Sequence, residues 1–354
     1  MKRLGVLLLT SVLAFTGVSA AEWATETVMS SGQIITSSLR FGPDGNPVIA
    51  FCEDGALRVA FWRDSQWEVD DVSTGGNVRA CDLALESSGA PHIAYWDMAD
   101  YTIHHVAWNG SGWADSLIDG GDGAMSGPDC AICINSRDVP MIAYLRRSPD
   151  PGIFFVTPES GRWVSSRVDA AFSLGQAVSM ALGTDGNPQL AYYDTLQSTL
   201  KYAVRGERFW NVQTVDSDGN VGHGASIAID SDNLPHIAYS DRTIGGLRYA
   251  HFDGSDWLVS VVDSTGDAVA INEPTIQVRR DGLPGISYMD LSQSRLEYAS
   301  FDGTSWQIEP VARRGHSSSL AMDSQDVPHV AYFRYSHNRW GLIYAQPSSD
   351  GSQK

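Results

Sequence analysis

A pentapeptide that opens on proline returns seven times along this chain. It reads PVIAF from Pro47, PHIAY from Pro91, PMIAY from Pro140, PQLAY from Pro188, PHIAY from Pro235, PGISY from Pro284 and PHVAY from Pro328. The repeat length is about 47 residues, a unit size that means modules stacked or arranged around an axis. A tryptophan runs in step. Trp67, Trp113, Trp163, Trp210, Trp257 and Trp306 each precede a Val or Ile by five residues, and each follows a Leu or Ile by ten.

Each unit divides into four strands. The first is SIAID-like, as in Ser226–Asp230, and an Asp-Gly-Asn type of turn follows (Asp44-Gly45-Asn46, Asp185-Gly186-Asn187). The proline strand is second, a Leu-x-Tyr-Ala strand such as Leu247–Ala250 is third, and the tryptophan strand is fourth. Apolar residues alternate with period two and never with helical spacing. On the first strand large residues (Leu39, Leu83, Ile132, Met180, Ile227, Ile276, Leu320) alternate with small ones such as Ser226, Ala228 and Ser319. Sheets converging on an axis need that alternation. All-β units of four strands and this length are blades of a propeller. Seven prolines are matched by only six downstream tryptophan strands, and the missing one stands at the other end, at Trp23 to Val28. The expected fold is therefore all-β: a seven-bladed β-propeller whose last blade is closed by the N-terminal strand.

The chain of 354 residues is 43% hydrophobic and 19% charged, with net charge −18. Such an acidic surface repels phosphate backbones, and no Lys/Arg-rich run offsets it, so nucleic acid is not an expected partner. Lys2 and Arg3, an apolar run to Val18 and the Val18-Ser19-Ala20 site read as a secretory signal. The expected organisation is a signal peptide over 1–20, the propeller over 21–346 and a flexible tail over 347–354. The protein is expected to be secreted or periplasmic and monomeric, with no membrane span in the mature chain. Export permits disulfides among Cys52, Cys81, Cys130 and Cys133, with buried free thiols as the alternative. Strand parity places Cys52 and Cys81 between blades one and two at one height, and disfavours a Cys81–Cys130 pair. Cys130-x2-Cys133 lacks the second half of a zinc set, so no metal or other cofactor is expected.

The repeat resembles that of secreted bacterial β-propeller proteins with DSxGxPHIAYxD-type units, over the whole mature chain. Phe252-Asp253-Gly254-Ser255-Asp256-Trp257 and Phe301-Asp302-Gly303-Thr304-Ser305-Trp306 also resemble degenerate Asp-boxes of sialidase-like propellers. The likeness implies fold rather than activity.

Residues repeated in every blade are explained by the fold, so residues that differ between blades point to function. His92, His236 and His329 after the proline read as structural, with hydrogen bonds between blades. Glu53, Asp97, Asp194, Asp241 and Asp290, six residues after the proline, read as turn caps or, alternatively, as a carboxylate ring for cations or sugar hydroxyls, with Arg146 and Arg334 breaking the series. At the channel mouth the variable residues are Arg79, Asp129, His223, Glu273 and His316, the histidines in Gly-rich loops. With Arg334 they form the expected ligand-binding set for a glycan or protein. The function expected is a non-catalytic binding or scaffold propeller of the cell envelope or exterior. The alternative is a polysaccharide lyase or glycoside hydrolase that uses His223, Glu273 and His316 as acid and base.

Overall fold

The computed structural model describes residues 22–72, 76–121, 125–170, 178–264, 271–336 and 339–348. Among them stand 28 strands in seven four-stranded antiparallel sheets. The innermost strands, in order, are Ile34–Phe41, Val78–Leu85, Met125–Ile134, Val178–Leu182, Val221–Ile229, Ile271–Val278 and Gly315–Met322. Each neighbours the next and the last neighbours the first, so the blades close into a ring. In blade seven Gly315–Met322, Pro328–Ser336 and Arg339–Pro347 are completed by Trp23–Ser31 on the outer edge. This is the seven-bladed propeller expected, with its N-terminal closure. The expected signal peptide and residues 349–354 of the expected tail lie outside the described residues.

The core is divided among the seams. Each seam holds its own cluster of buried side chains from two adjacent blades, including the seam between blades seven and one, where Phe333 and Leu342 meet Leu39 and Phe51. The tryptophan repeat belongs to these seams. In six of them the fourth-strand Trp packs edge-on against a third-strand ring of the preceding blade. Examples are Trp257 on Tyr202, Trp306 on Tyr249 and Trp23 on Tyr298, with centroids 5.2, 5.3 and 5.6 Å apart. His105 fills the ring slot in blade two, under Trp163 at 5.0 Å. Edge-to-face pairs add stabilisation beyond the area they bury.

The small face of the first strand does more than yield space. The residue before each large one reads Ser38, Asp82, Ala131, Ser179, Ser226, Thr275 and Ser319. Its side chain reaches the next blade's backbone. Ser319 Oγ accepts Leu39 N at 2.9 Å, Ser38 Oγ accepts Leu83 N at 3.1 Å and Asp82 Oδ2 accepts Ile132 N at 2.9 Å. Ser179 and Ser226 do the same for Ile227 and Ile276, and Thr275 donates to the Ser318 carbonyl. Where blade three has Ala131, Asp129 substitutes from two residues earlier and accepts Val178 N at 3.1 Å. One edge group of each innermost strand, which no further strand pairs, is thereby satisfied around the whole axis.

The repeated histidines are structural, but their bonds lie within a blade rather than between blades. His236 Nε2 faces Asp230 at 3.3 Å and its Nδ1 faces Tyr249 Oη at 2.5 Å. His329 repeats this with Asp323 and Tyr344. The histidine bridges the acid that closes the turn and the third-strand tyrosine, all on one sheet. Asp253 and Asp302 of the Asp-box-like hairpins act as turn acceptors: Asp302 Oδ1 takes the N–H of Thr304 and of Ser305 at 2.8 Å each.

The four cysteines are free thiols. Cys52 and Cys81 are buried in the seam of blades one and two and their thiols are within hydrogen-bonding contact. Cys130 and Cys133 fall on opposite faces of blade three. Mild oxidation followed by non-reducing peptide mapping is expected to yield a Cys52–Cys81 peptide. Recovery of Cys81–Cys130 instead would contradict the packing of that seam.

Candidate functional site

Each sheet begins and ends its second strand on alternate faces of the ring. The mouth face gathers the starts of the first strands and the ends of the second strands. Glu53, Asp97, Asp194, Asp241 and Asp290 stand there, all buried, and their carboxylates cap turns. Asp97 Oδ1 accepts Asn77 N and Ala99 N at 2.9 and 2.8 Å, and Asp241 Oδ1 accepts Thr243 N at 2.7 Å. Cations face three of them: Arg58 lies 2.9 Å from Glu53, Arg248 2.7 Å from Asp241 and Lys201 4.0 Å from Asp194.

Of the six residues singled out from the sequence, the five whose side chains are described do not form one cluster. Arg79 and Asp129 line the central channel, a space of about 1010 Å³ that Arg242 and the Ser/Asp ring also border. Asp129 is engaged there by backbone N–H groups of Cys130 and Val178. His223, His316 and Arg334 lie outside that lining. His223 is in a strand rather than a loop, and it is 5% exposed. Its Nε2 faces Asn220 Oδ1 at 2.7 Å, and its ring lies 3.9 Å from that of Tyr193. Burial, with the nearby Arg242 charge, lowers its pKa to about 4, so it is neutral at physiological pH. Glycines mislead at this point. Gly222 and Gly224 have φ of 106° and 61°, and the strand register slips on both sides of His223. The glycines serve bulges in a strand.

His316 is also in a strand, exposed, with its ring 6.1 Å from that of Trp340. The side chain of Glu273 lies outside the described residues. Arg334 lies near the end of the second strand of blade seven, half-buried, and its charge is felt by the Tyr332 phenol. Its counterpart Arg146 is bound to Asp119 through Nε at 2.8 Å and lies 4.0 Å over the Phe154 ring.

A second concavity, not anticipated from the sequence, opens on the opposite face between blades one and two. It encloses about 840 Å³. Its cause is a break in the tryptophan pattern. In blade one the third-strand slot that holds Tyr, Phe or His elsewhere is Val59, paired with Ala50. Trp113 therefore has no ring to pack on at this seam. It lines the cleft with Trp108, the two rings edge-on at 5.5 Å. Trp108 is 37% exposed. Across the cleft Arg63 lies 4.2 Å over the Phe61 ring, and the polar lining is Asp70, Glu86, Ser88 and Asn109. An apolar floor of rings with carboxylates, an amide and a guanidinium at its rim offers both stacking and paired hydrogen bonds. Val59 in place of an aromatic was the signal in the sequence.

Among the described residues no group of three or more His, Cys, Asp or Glu is placed to hold a metal ion, and no helix is long and apolar enough to cross a membrane.

No family model matches the chain, and no curated protein matches it either. Solved structures do, as folds. YCF48 bound to a D1 peptide superposes with a TM-score of 0.59 at 11% identity, covering 95% of this chain and 98% of that one. A polysaccharide lyase, an ulvan lyase with bound saccharide, gives 0.59 at 10% identity, covering 90% and 96%. The six-bladed fucose-recognising lectin of Aleuria aurantia gives 0.53 at 15% identity, covering 83% and 98%. At these identities the likeness is one of fold: all three are similar to this chain as β-propellers.

Proposed function

We propose that this protein is a non-catalytic, exported β-propeller that binds a glycan. The observation that carries the reading is the cleft of blades one and two, with Trp108 exposed beside Trp113 and a polar rim of Arg63, Asp70, Glu86 and Asn109. A pyranose presents C–H faces that stack on indole and hydroxyls that pair with carboxylates and amides. The cleft volume is within the range of sites for small ligands. Support also comes from two of the fold relatives, a lectin and a polysaccharide lyase, each of which takes saccharide. Protein or peptide is the other class of ligand that such a surface accepts, and YCF48 holds a peptide.

The enzymatic alternative asks His223 to exchange protons with a bound sugar. Its ring is engaged by Asn220 and packed on Tyr193, which favours a structural part for it. Turnover assays on the same glycans decide between the two. Binding without product is the expected result.

Trp108→Ala is the informative substitution, because Trp108 is exposed while Trp113 also packs on the core. It is expected to weaken glycan binding by about tenfold or more, which is about 1.4 kcal/mol, with the melting temperature nearly unchanged. A glycan array on wild type, followed by titration of the best hit against both proteins, makes the measurement. Equal affinity for the two proteins would remove the cleft as the site.

A further inference from the structure

The seam of blades six and seven loses a carboxylate that the four seams before it keep. Where the fourth strand ends, opposite the first apolar residue of the third strand, blades two to five carry Asp119, Asp169, Asp216 and Asp263. Each reaches into the next blade. Asp169, Asp216 and Asp263 accept the hydroxyls of Tyr192, Tyr239 and Tyr288 at 2.7, 2.7 and 2.8 Å. Asp119 accepts Ser126 Oγ and Arg146 Nε at 2.5 and 2.8 Å, and Arg146 also donates to the Tyr144 hydroxyl at 3.2 Å.

Blade six has Ala312 at this position, opposite Leu296. The next blade nevertheless keeps the rest of the arrangement. Tyr332 stands where Tyr144 stands, and Arg334 stands where Arg146 stands. Gly315 pairs with Arg334 as Ser126 pairs with Arg146, so the hydroxyl is missing along with the carboxylate. Tyr332 is 0% exposed, and its hydroxyl has no hydrogen-bond partner among the described residues. A buried phenol without a partner costs about 1–3 kcal/mol. The seam of blades seven and one shows the other way to delete the pair: there Phe51 lacks the hydroxyl and Met29 stands at the outer strand. At Tyr332 the hydroxyl was kept. Arg313 and Arg314 follow Ala312 directly and are exposed, which adds positive charge at this rim of an acidic protein.

We propose that the seam of blades six and seven is a seat for a carboxylate brought in by a ligand, held by Arg334 and the Tyr332 hydroxyl. The ligand's carboxylate takes the place that Asp119 occupies beside Arg146 and Tyr144. Planar two-point recognition suits guanidinium and carboxylate. The seat is on the mouth face, away from the cleft of blades one and two. It stands whether or not that cleft binds a neutral glycan.

The test uses glucuronate, acetate and glucose as probes, titrated against the whole protein by calorimetry or ligand-observed NMR. Glucuronate is expected to bind and glucose not. Acetate binding as well would identify the carboxylate alone as sufficient, and acetate failing would assign part of the affinity to the sugar ring. Ala312→Asp restores the internal carboxylate. It is expected to raise the melting temperature and to lower glucuronate affinity at least tenfold. Arg334→Gln is expected to lower it similarly without the gain in stability, and it serves if Ala312→Asp folds poorly. Glucose binding as well as glucuronate, no binding of either carboxylate, or unchanged affinity in both variants would overturn the proposal.

Discussion

A variant lacking residues 22–31 is expected to lose stability by on the order of 5 kcal/mol or more, and its melting temperature by roughly 10 °C or more. The segment is the outer strand of blade seven, paired antiparallel with Arg339–Pro347 from Trp23 opposite Pro347 to Ser31 opposite Trp340. Its removal uncovers a strand edge whose N–H and C=O groups become free to pair with another chain, so aggregation on heating is expected too. The side chains add to the backbone term. Trp23 packs on Tyr298, and its indole N–H donates to Glu309 at 3.0 Å, which joins blade seven to blade six. Val28 and Met29 cover the cluster that joins blade seven to blade one. Trp23→Ala separates the contributions: it keeps the strand pairing, and a cost of about 2 kcal/mol is expected for a half-buried indole. Thermal and urea unfolding of both variants makes the comparison. A deletion variant as stable as wild type would mean that the ring does not depend on this closure.

The parts of the fold legible in the sequence are those that recur. Prolines and tryptophans in step reveal the blade number, and the Trp23 strand reveals the closure, because a repeated contact leaves a repeated letter. Features that depend on a seam are harder to read. Ser38, Asp82 and Ser319 look like filler on a small face until the next blade's N–H groups are placed beside them. His223 between two glycines reads as a loop residue, and only the register shows a bulged strand. The two candidate binding places arise where a repeated letter fails, Val59 for an aromatic ring and Ala312 for an aspartate. Both are visible in an alignment of the units. Their meaning needs the partner across the seam, since a missing ring or carboxylate matters only if its counterpart, Trp113 or Tyr332, is retained. A near-symmetric ring makes one distinctive site by such local omissions.

The same logic in blade two leads to an acid-sensitive core. Blades five and seven pair the post-proline histidine with a tyrosine, His236 with Tyr249 and His329 with Tyr344. Blade two replaces that tyrosine with His105, whose Nε2 lies 2.9 Å from His92 Nδ1. His105 is 7% exposed, and burial, reinforced by the His92 charge, lowers its pKa from 6.5 to about 3. The folded state therefore resists a proton that the unfolded chain takes up below pH 6.5. Stability from this residue is fully present above 6.5, falls as pH drops toward the folded value and is constant below it. Between pH 7.5 and 5 the loss from His105 comes to about 2 kcal/mol. His105→Tyr recreates the His–Tyr pair of blades five and seven and removes the titrating group. Chemical unfolding at the two pH values is expected to show wild type losing about 2 kcal/mol more than the variant. His223 and the turn carboxylates are common to both proteins and cancel in this difference. An equal loss in wild type and His105→Tyr would show that His105 takes its proton in the folded state as readily as in the unfolded chain, against the burial described here.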